Sequence, residues 1–426
     1  MKDHRHRRSS VSEMHLRRWP VLPVPCHILQ WVIAVDDTAR KTELRAIEEV
    51  ADDLASVENP SHREGSLGDH ARMVWERHSE GSSVTIFLSD CDESGYLDPQ
   101  SDQAAVDAIA WANGLPGTII RATRIWLGAS EAEIEPIVGR SKLNEDELVS
   151  TMLGGGMRIW SDFRIHADGF GRLIVAANGT DPHNLTRQLQ RLQELGNYRN
   201  KALLGLPLAR EFWTHIDESE LRLRNLAHQV ANNEEHDDAI LAKLSALALD
   251  IASVSTAISF RMDATRAYAR IVEERLAQLV CSPIPGFASL TDFTQRRFRP
   301  AMDTCAATAE RVRRLGIRVE QISSLLRARI ETRIERQNTQ MLQSMERSIS
   351  LQLRLQQLVE GLSVVALTYY SIGLLSYFLG GIRLQGIGLA KDSLLSLSVP
   401  IALAAVWLII RLRKKWLLEG RNCEVA

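Results

Sequence analysis

The chain has 426 residues, with 51 lysines and arginines against 53 aspartates and glutamates, a net charge of −2. That length gives room for two or three domains, and that charge balance excludes a global electrostatic pull toward nucleic acid. The five cysteines (Cys26, Cys91, Cys281, Cys305, Cys423) are scattered and odd in number. They form no CxxC and no zinc spacing, which fits a reducing compartment.

Residues 1–20 read as a disordered tail. Arg7 and Arg8 precede Ser9 and Ser10, a faint twin-arginine look, but Pro20, Pro23, Pro25 and His27 interrupt any apolar core. No signal peptide is expected. Residues 21–180 read as an α+β domain with a mostly antiparallel sheet. Cys26–Val35 is a short apolar run rich in β-formers. Thr38–Val57 has helical periodicity, with Thr38 as its N-cap. Met73–Glu80 and Ser83–Ser89 suit two strands turning at Gly81 and Ser82. A helix is predicted over Gln103–Asn113, ending at Gly114, and a strand over Gly117–Leu127. Met157–His166 and Arg172–Ala177 form the clearest hairpin, joined across Ala167–Gly171.

From Asp181 the pattern is helical, and residues 181–360 read as a long-helix bundle and stalk. Asp181 caps a helix with Pro182 in its first turn. Its apolar series Leu185, Leu189, Leu192 and Leu195 runs on toward Val230, kinked or divided at Pro207. A second long helix spans Asp237–Val280 and stops at the breaker run Cys281–Gly286. A short helix over Leu290–Arg299 is expected, then a last one from Pro300 to Glu360, about 90 Å long at the helical rise. Its stripe of Leu315, Val319, Ile322, Leu326, Ile330, Ile334, Met341, Met345 and Ile349 is a bundle or coiled-coil face. Between Thr291 and Glu360 there are thirteen arginines, no lysine and eight acids. This charge suits a solvated face paired with acids elsewhere. Only Arg347 and Arg354 lie near enough to the following apolar run to meet lipid headgroups.

Two uncharged apolar runs close the chain. Gly361–Ile382 has 22 residues and Ser393–Ile410 has 18, the second interrupted by Pro400. A helix of about 20 apolar residues crosses the hydrocarbon core. The expectation is a transmembrane hairpin over 361–410, with a buried helical pair as the soluble alternative. Arg411, Arg413, Lys414 and Lys415 follow the second run and favour the cytoplasmic side. Both termini, including the basic tail 411–426, are therefore expected in the cytoplasm.

Few residues suggest chemistry. Glu76 and His78 share one face of a strand and fit either an acid/base pair or plain cross-strand pairing. Asp162, Arg164, His166 and Asp168 alternate toward the Asp168–Gly171 turn, but a metal needs three or four convergent donors. Gly154, Gly155 and Gly156 precede a strand, so they lack the helix N-terminus of a phosphate cradle. No GxSxG, GxxxxGK[ST], HExxH or Rossmann fingerprint is present. No catalytic residue, cofactor or metal is assigned.

Five stretches carry a resemblance: WERH at Trp75–His78, SDFRIHADGFGR at Ser161–Arg172, ALLGLPLAR at Ala202–Arg210, RRFRPAMDTC at Arg296–Cys305, and LQLRLQQLVEGLSVVALTYY at Leu351–Tyr370. In this order they resemble a family of bacterial membrane-anchored proteins defined by a domain of unknown function. The chain departs from it after His78, with Ser79, Glu80 and Gly81 where the family tends to have a threonine, an acid and an aromatic. The resemblance implies a C-terminal anchor but no activity. The order of parts is also similar to CorA-type magnesium channels. Their Gly-Met-Asn signature is missing here, and only Gly380 and Gly381 stand where a pore mouth would lie. Together these readings describe a membrane-anchored, homo-oligomeric scaffold or sensor at the bacterial inner membrane. Its partner is the lipid bilayer, not nucleic acid, its ligand is unknown, and a channel is the alternative.

Overall fold

The computed structural model describes residues 3–12, 18–51, 61–232, 235–381 and 391–419, without the side chains of 8–9, 12, 378–381, 391–395, 397 and 413–419. The elements in chain order are α1 (Arg7–Ser12), β1 (Cys26–Ala34), α2 (Arg40–Glu48), β2 (His62–Ser66), β3 (Ala71–His78) and β4 (Gly81–Leu88). Next come α3 (Glu93–Leu97), α4 (Gln103–Asn113), β5 (Thr118–Gly128), α5 (Glu131–Arg140), β6 (Val149–Leu153), β7 (Met157–Ser161) and β8 (Gly171–Ala176). The rest are α6 (Pro182–Leu203), α7 (Gly205–Glu211), α8 (Trp213–Asn232), α9 (Asp237–Gln278), β9 (Cys281–Pro283), α10 (Leu290–Gly381) and α11 (Lys391–Glu419). They form two compact units, Met1–Ser324 and Leu325–Ala426.

In the first unit, nine strands make one sheet in the order β2-β3-β4-β1-β5-β8-β7-β6-β9. Every pairing is antiparallel except β5 with β8. Alternation along each strand gives two apolar faces. On one face Ile28, Ile125, Leu127, Ile159 and Val175 pack against Leu185, Leu189 and Leu192 of α6, Val272 of α9 and Leu290 of α10. On the other, Trp31, Trp75 and Ile86 meet Ile47 of α2 and Ala105 and Ala108 of α4. There too Trp126, Trp160 and Ile174 meet Tyr96 of α3 and Ile134 of α5. The α+β class is therefore a sheet covered on both faces, followed by long helices.

Several local expectations need correction. Thr38 is not the cap of α2. The Asp36 carboxylate instead accepts from the Thr38 N–H and hydroxyl and from the Ala39 N–H, an Asx turn that delays the helix to Arg40. The helix stops at Glu48, and residues 52–57 of the predicted span lie outside the described residues. The β3–β4 turn falls at Ser79 and Glu80. Gly81 already pairs with Ala34 at φ +146°, where a Cβ would lie 1.9 Å from the Ile33 carbonyl oxygen. β7 ends at Ser161, five residues short of His166; Phe163 adopts φ +51° and interrupts the ladder, which resumes only as an isolated bridge between Ile165 and Gly171. The helix after Asp181 divides into α6, α7 and α8, with Pro207 in the first turn of α7, where its missing N–H is least costly. The breaker run supplies β9, whose Pro283 sits on the sheet edge beside β6. α10 runs through Pro300 without a break. Burial of Leu290 and Phe298 before the proline and Cys305 after it holds the helix against the one lost hydrogen bond.

Two helices are long and apolar enough to cross a membrane by length and composition, α9 and the Leu290–Tyr377 part of α10. In their most apolar windows 28% of α9 and 6% of α10 is buried within the fold. α9 buries Ile240, Leu244, Leu247, Ile251, Val254 and Ile258 along one side, which is a core helix. Within the first expected span, α10 exposes Leu362, Leu374 and Tyr377. The second expected span falls within α11, where Ser398–Leu412 is an apolar helical stretch among the described residues. Residues 382–390 of the expected connecting loop lie outside the described residues.

Candidate functional site

The first unit has a cleft of about 80 Å³ between β5, β8 and α6, roofed by the loop after β7. Arg121 of β5 and Arg199 of α6 line it. On β5 the side facing α6 carries Arg121, Thr123, Ile125 and Leu127, so alternation alone turns Arg121 inward. On α6, Arg199 falls where the series Leu185, Leu189, Leu192, Leu195 would place its next apolar residue. Arg121 Nη1 donates to Gln30 Oε1 at 3.1 Å, Gln193 Oε1 at 2.8 Å and Asn197 Oδ1 at 2.7 Å. These acceptors are all neutral amides. The Arg199 guanidinium lies over Phe163 at 4.6 Å and Phe293 at 5.5 Å, and those two rings stack on each other. Its Nη1 is buried with no hydrogen-bond partner among the described residues. Burial pulls Arg199 down to about 10; burial, then the like charge of Arg199, pulls Arg121 down to about 9. Both remain cationic at neutral pH.

The predicted loop residues do not line one strand face, because β7 ends before them. Asp162 and His166 meet at 3.1 Å, and Asp162 also accepts the Asn144 N–H. Arg164 lines the cleft while donating to Glu147 at 2.6 Å. Asp168 points away, to Arg124 at 2.5 Å and Arg172 at 3.2 Å. Burial opposes ionisation of Asp168, but the Phe170 N–H and these two arginines hold its carboxyl below the usual range. Among the described residues no group of three or more His, Cys, Asp and Glu could hold a metal ion.

Glu76 and His78 belong to a second cluster. Glu76 lies 3.9 Å from His62, and His78 Nε2 is 3.1 Å from the Ser83 hydroxyl. Nearby, Lys201 of α6 is 1% exposed, with its ammonium 5.9 Å and 5.8 Å from the Tyr198 and Tyr268 rings. Burial lowers Lys201 to about 8, against the pull of Glu80 and Glu76. A third buried group is His27, edge-on to Tyr96 with neither ring nitrogen hydrogen-bonded among the described residues. Burial, then Arg124, lowers it to about 3.

Sequence reasoning missed Arg121, Arg199, Lys201 and His27. The legible signal was an ionisable side chain on an otherwise apolar strand face or helix stripe. At the C-terminus, Gly380 and Gly381 are the last residues of α10, and Arg411 lies 4.8 Å from the Trp407 ring. The side chains of Arg413, Lys414 and Lys415 lie outside the described residues.

The fold and cleft define an α+β protein with a buried basic cleft and a long helical continuation. The sequence model of the family described as "Protein of unknown function (DUF3422)" matches residues 2–417, and the chain belongs to that family. No curated protein and no solved structure matches the chain, so the likeness to CorA-type channels gains no support.

Proposed function

We propose that the protein is a membrane-held scaffold or sensor. Its first unit is a soluble body, and the apolar end of α10, with α11, holds it on the inner membrane with both termini cytoplasmic. The observation that carries this reading is the uncharged run from Gly361 to the end of α10. There Leu362, Val365, Leu374 and Tyr377 are all more than 60% exposed in the chain alone. So large an apolar surface needs lipid or another chain over it. The exposed Met341, Met345 and Ile349 continue the buried stripe of Leu315 and Val319, which supports a second copy of the chain as partner in a homo-oligomer. Alkaline carbonate extraction and flotation of the full-length protein test the anchor. Retention in the floating membrane is expected, with release on Leu367→Arg plus Leu374→Arg. A wild-type protein released by carbonate would refute it. Cross-linking in native membranes that yields monomer alone would remove the oligomer.

A further inference from the structure

We propose that the cleft between β5 and α6 binds a compact dianionic oxyanion, either inorganic phosphate or the phosphate of a small phosphomonoester, held between Arg121 and Arg199. This site is separate from the membrane reading and does not depend on it.

Charge is the first argument. The other arginines beside the cleft are compensated, Arg164 by Glu147 and Arg172 by Asp168. Arg121 and Arg199 form no ion pair among the described residues. A buried guanidinium (Arg199) beside a half-buried one (Arg121), neither with a counter-ion, is unfavourable. An anion carrying two charges balances them, and guanidinium forks match tetrahedral oxyanions closely.

Geometry is the second. Arg199 is 7% exposed, lines the cleft and has Nη1 unpartnered, while Phe163 and Phe293 fix the plane of its guanidinium. Gly196 lets Arg121 lie against α6, since a Cβ there would come within 2.9 Å of the guanidinium carbon. Gln193 and Asn197 hold Arg121 Nη1 from the same helix. The room is small, about 80 Å³. It suits one phosphate group rather than a whole nucleotide.

Calorimetric titration of the full-length, detergent-solubilised protein at pH 8 with inorganic phosphate, and separately with glycerol phosphate, tests this against chloride at matched ionic strength. Saturable binding of one phosphate per chain is expected. Arg199→Gln should weaken it ~10- to 100-fold, the loss of one charge-assisted contact. Gly196→Ala should weaken it by displacing Arg121 while leaving both charges in place. Arg158→Gln, which removes an ion pair with Glu131, should leave it unchanged. Tighter binding of glycerol phosphate identifies a phosphomonoester site, and tighter binding of phosphate identifies a site for the free ion. A wild-type protein that responds to neither beyond chloride overturns the proposal, whatever the variants do. Binding that survives both Arg199→Gln and Gly196→Ala also overturns it.

Discussion

Helix α10 carries one apolar stripe through two environments. In the first unit Leu315 is 3% exposed and packed; further along, Met345 is 52% exposed and Tyr377 85%. The spacing of apolar residues hardly changes, so periodicity does not decide their fate. What changes is the supply of covering elements. The first unit also buries polar groups, including Arg199, Lys201 and His27. The second exposes apolar ones. A soluble body tolerates buried cations only where stacking, amides or a ligand offset desolvation. An apolar helix is stable in the open only if its solvent is not water.

Five substitutions can sharpen or break this contrast. The largest effect is expected from Leu315→Ala, which should cost about 2–5 kcal/mol in denaturant unfolding of the solubilised protein. Met345→Ala should cost under about 0.5 kcal/mol in the same assay. Equal losses would break the comparison. His27 comes next. Its folded value of about 3 lies below the ordinary 6.5, so on acidification the unfolded chain takes up the proton first. Stability should fall as pH drops from 6.5 toward 3, by roughly 3 kcal/mol at pH 4, and His27→Leu should flatten that limb of the pH–stability curve. Lys201 titrates at about 8 when folded against 10.5 ordinarily. Between these values only the unfolded chain keeps the proton, so stability should rise with pH, by roughly 2 kcal/mol from pH 8 to 10. Lys201→Met should abolish the rise. Among the polar groups the smallest effect belongs to Arg311, which joins α10 to Asp217 at 2.5 Å and Glu220 at 3.0 Å on α8. Arg311→Gln should cost about 0.5–1 kcal/mol, less at high salt.

The contrast also explains what the sequence made legible. Long periodic or alternating runs, such as Asp237–Gln278 and Cys26–Ala34, are set by local patterning and were readable within a residue or two. Boundaries fixed by tertiary contact were not. The edge strand Cys281–Pro283 exists because β6 has a free side, and α10 continues through Pro300 because burial on both sides holds it. The cleft was half legible. Arg164 stands out in the alternating pattern of the loop sequence. Arg121 and Arg199 lie 78 residues apart and meet only when β5 packs under α6. Asp162 and His166 do come together, but through the turn at Phe163 rather than by strand alternation.

The most direct test of the central claim is a spin-label accessibility profile along α10 of the full-length protein in liposomes, from Met341 to Tyr377. We predict that labels beyond Gly361 collide freely with dissolved oxygen and are shielded from a water-soluble nickel relaxant, while those at Met341 and Met345 do not show this lipid signature. Free access of the nickel relaxant to positions 362, 367 and 374 would contradict a membrane-held helix.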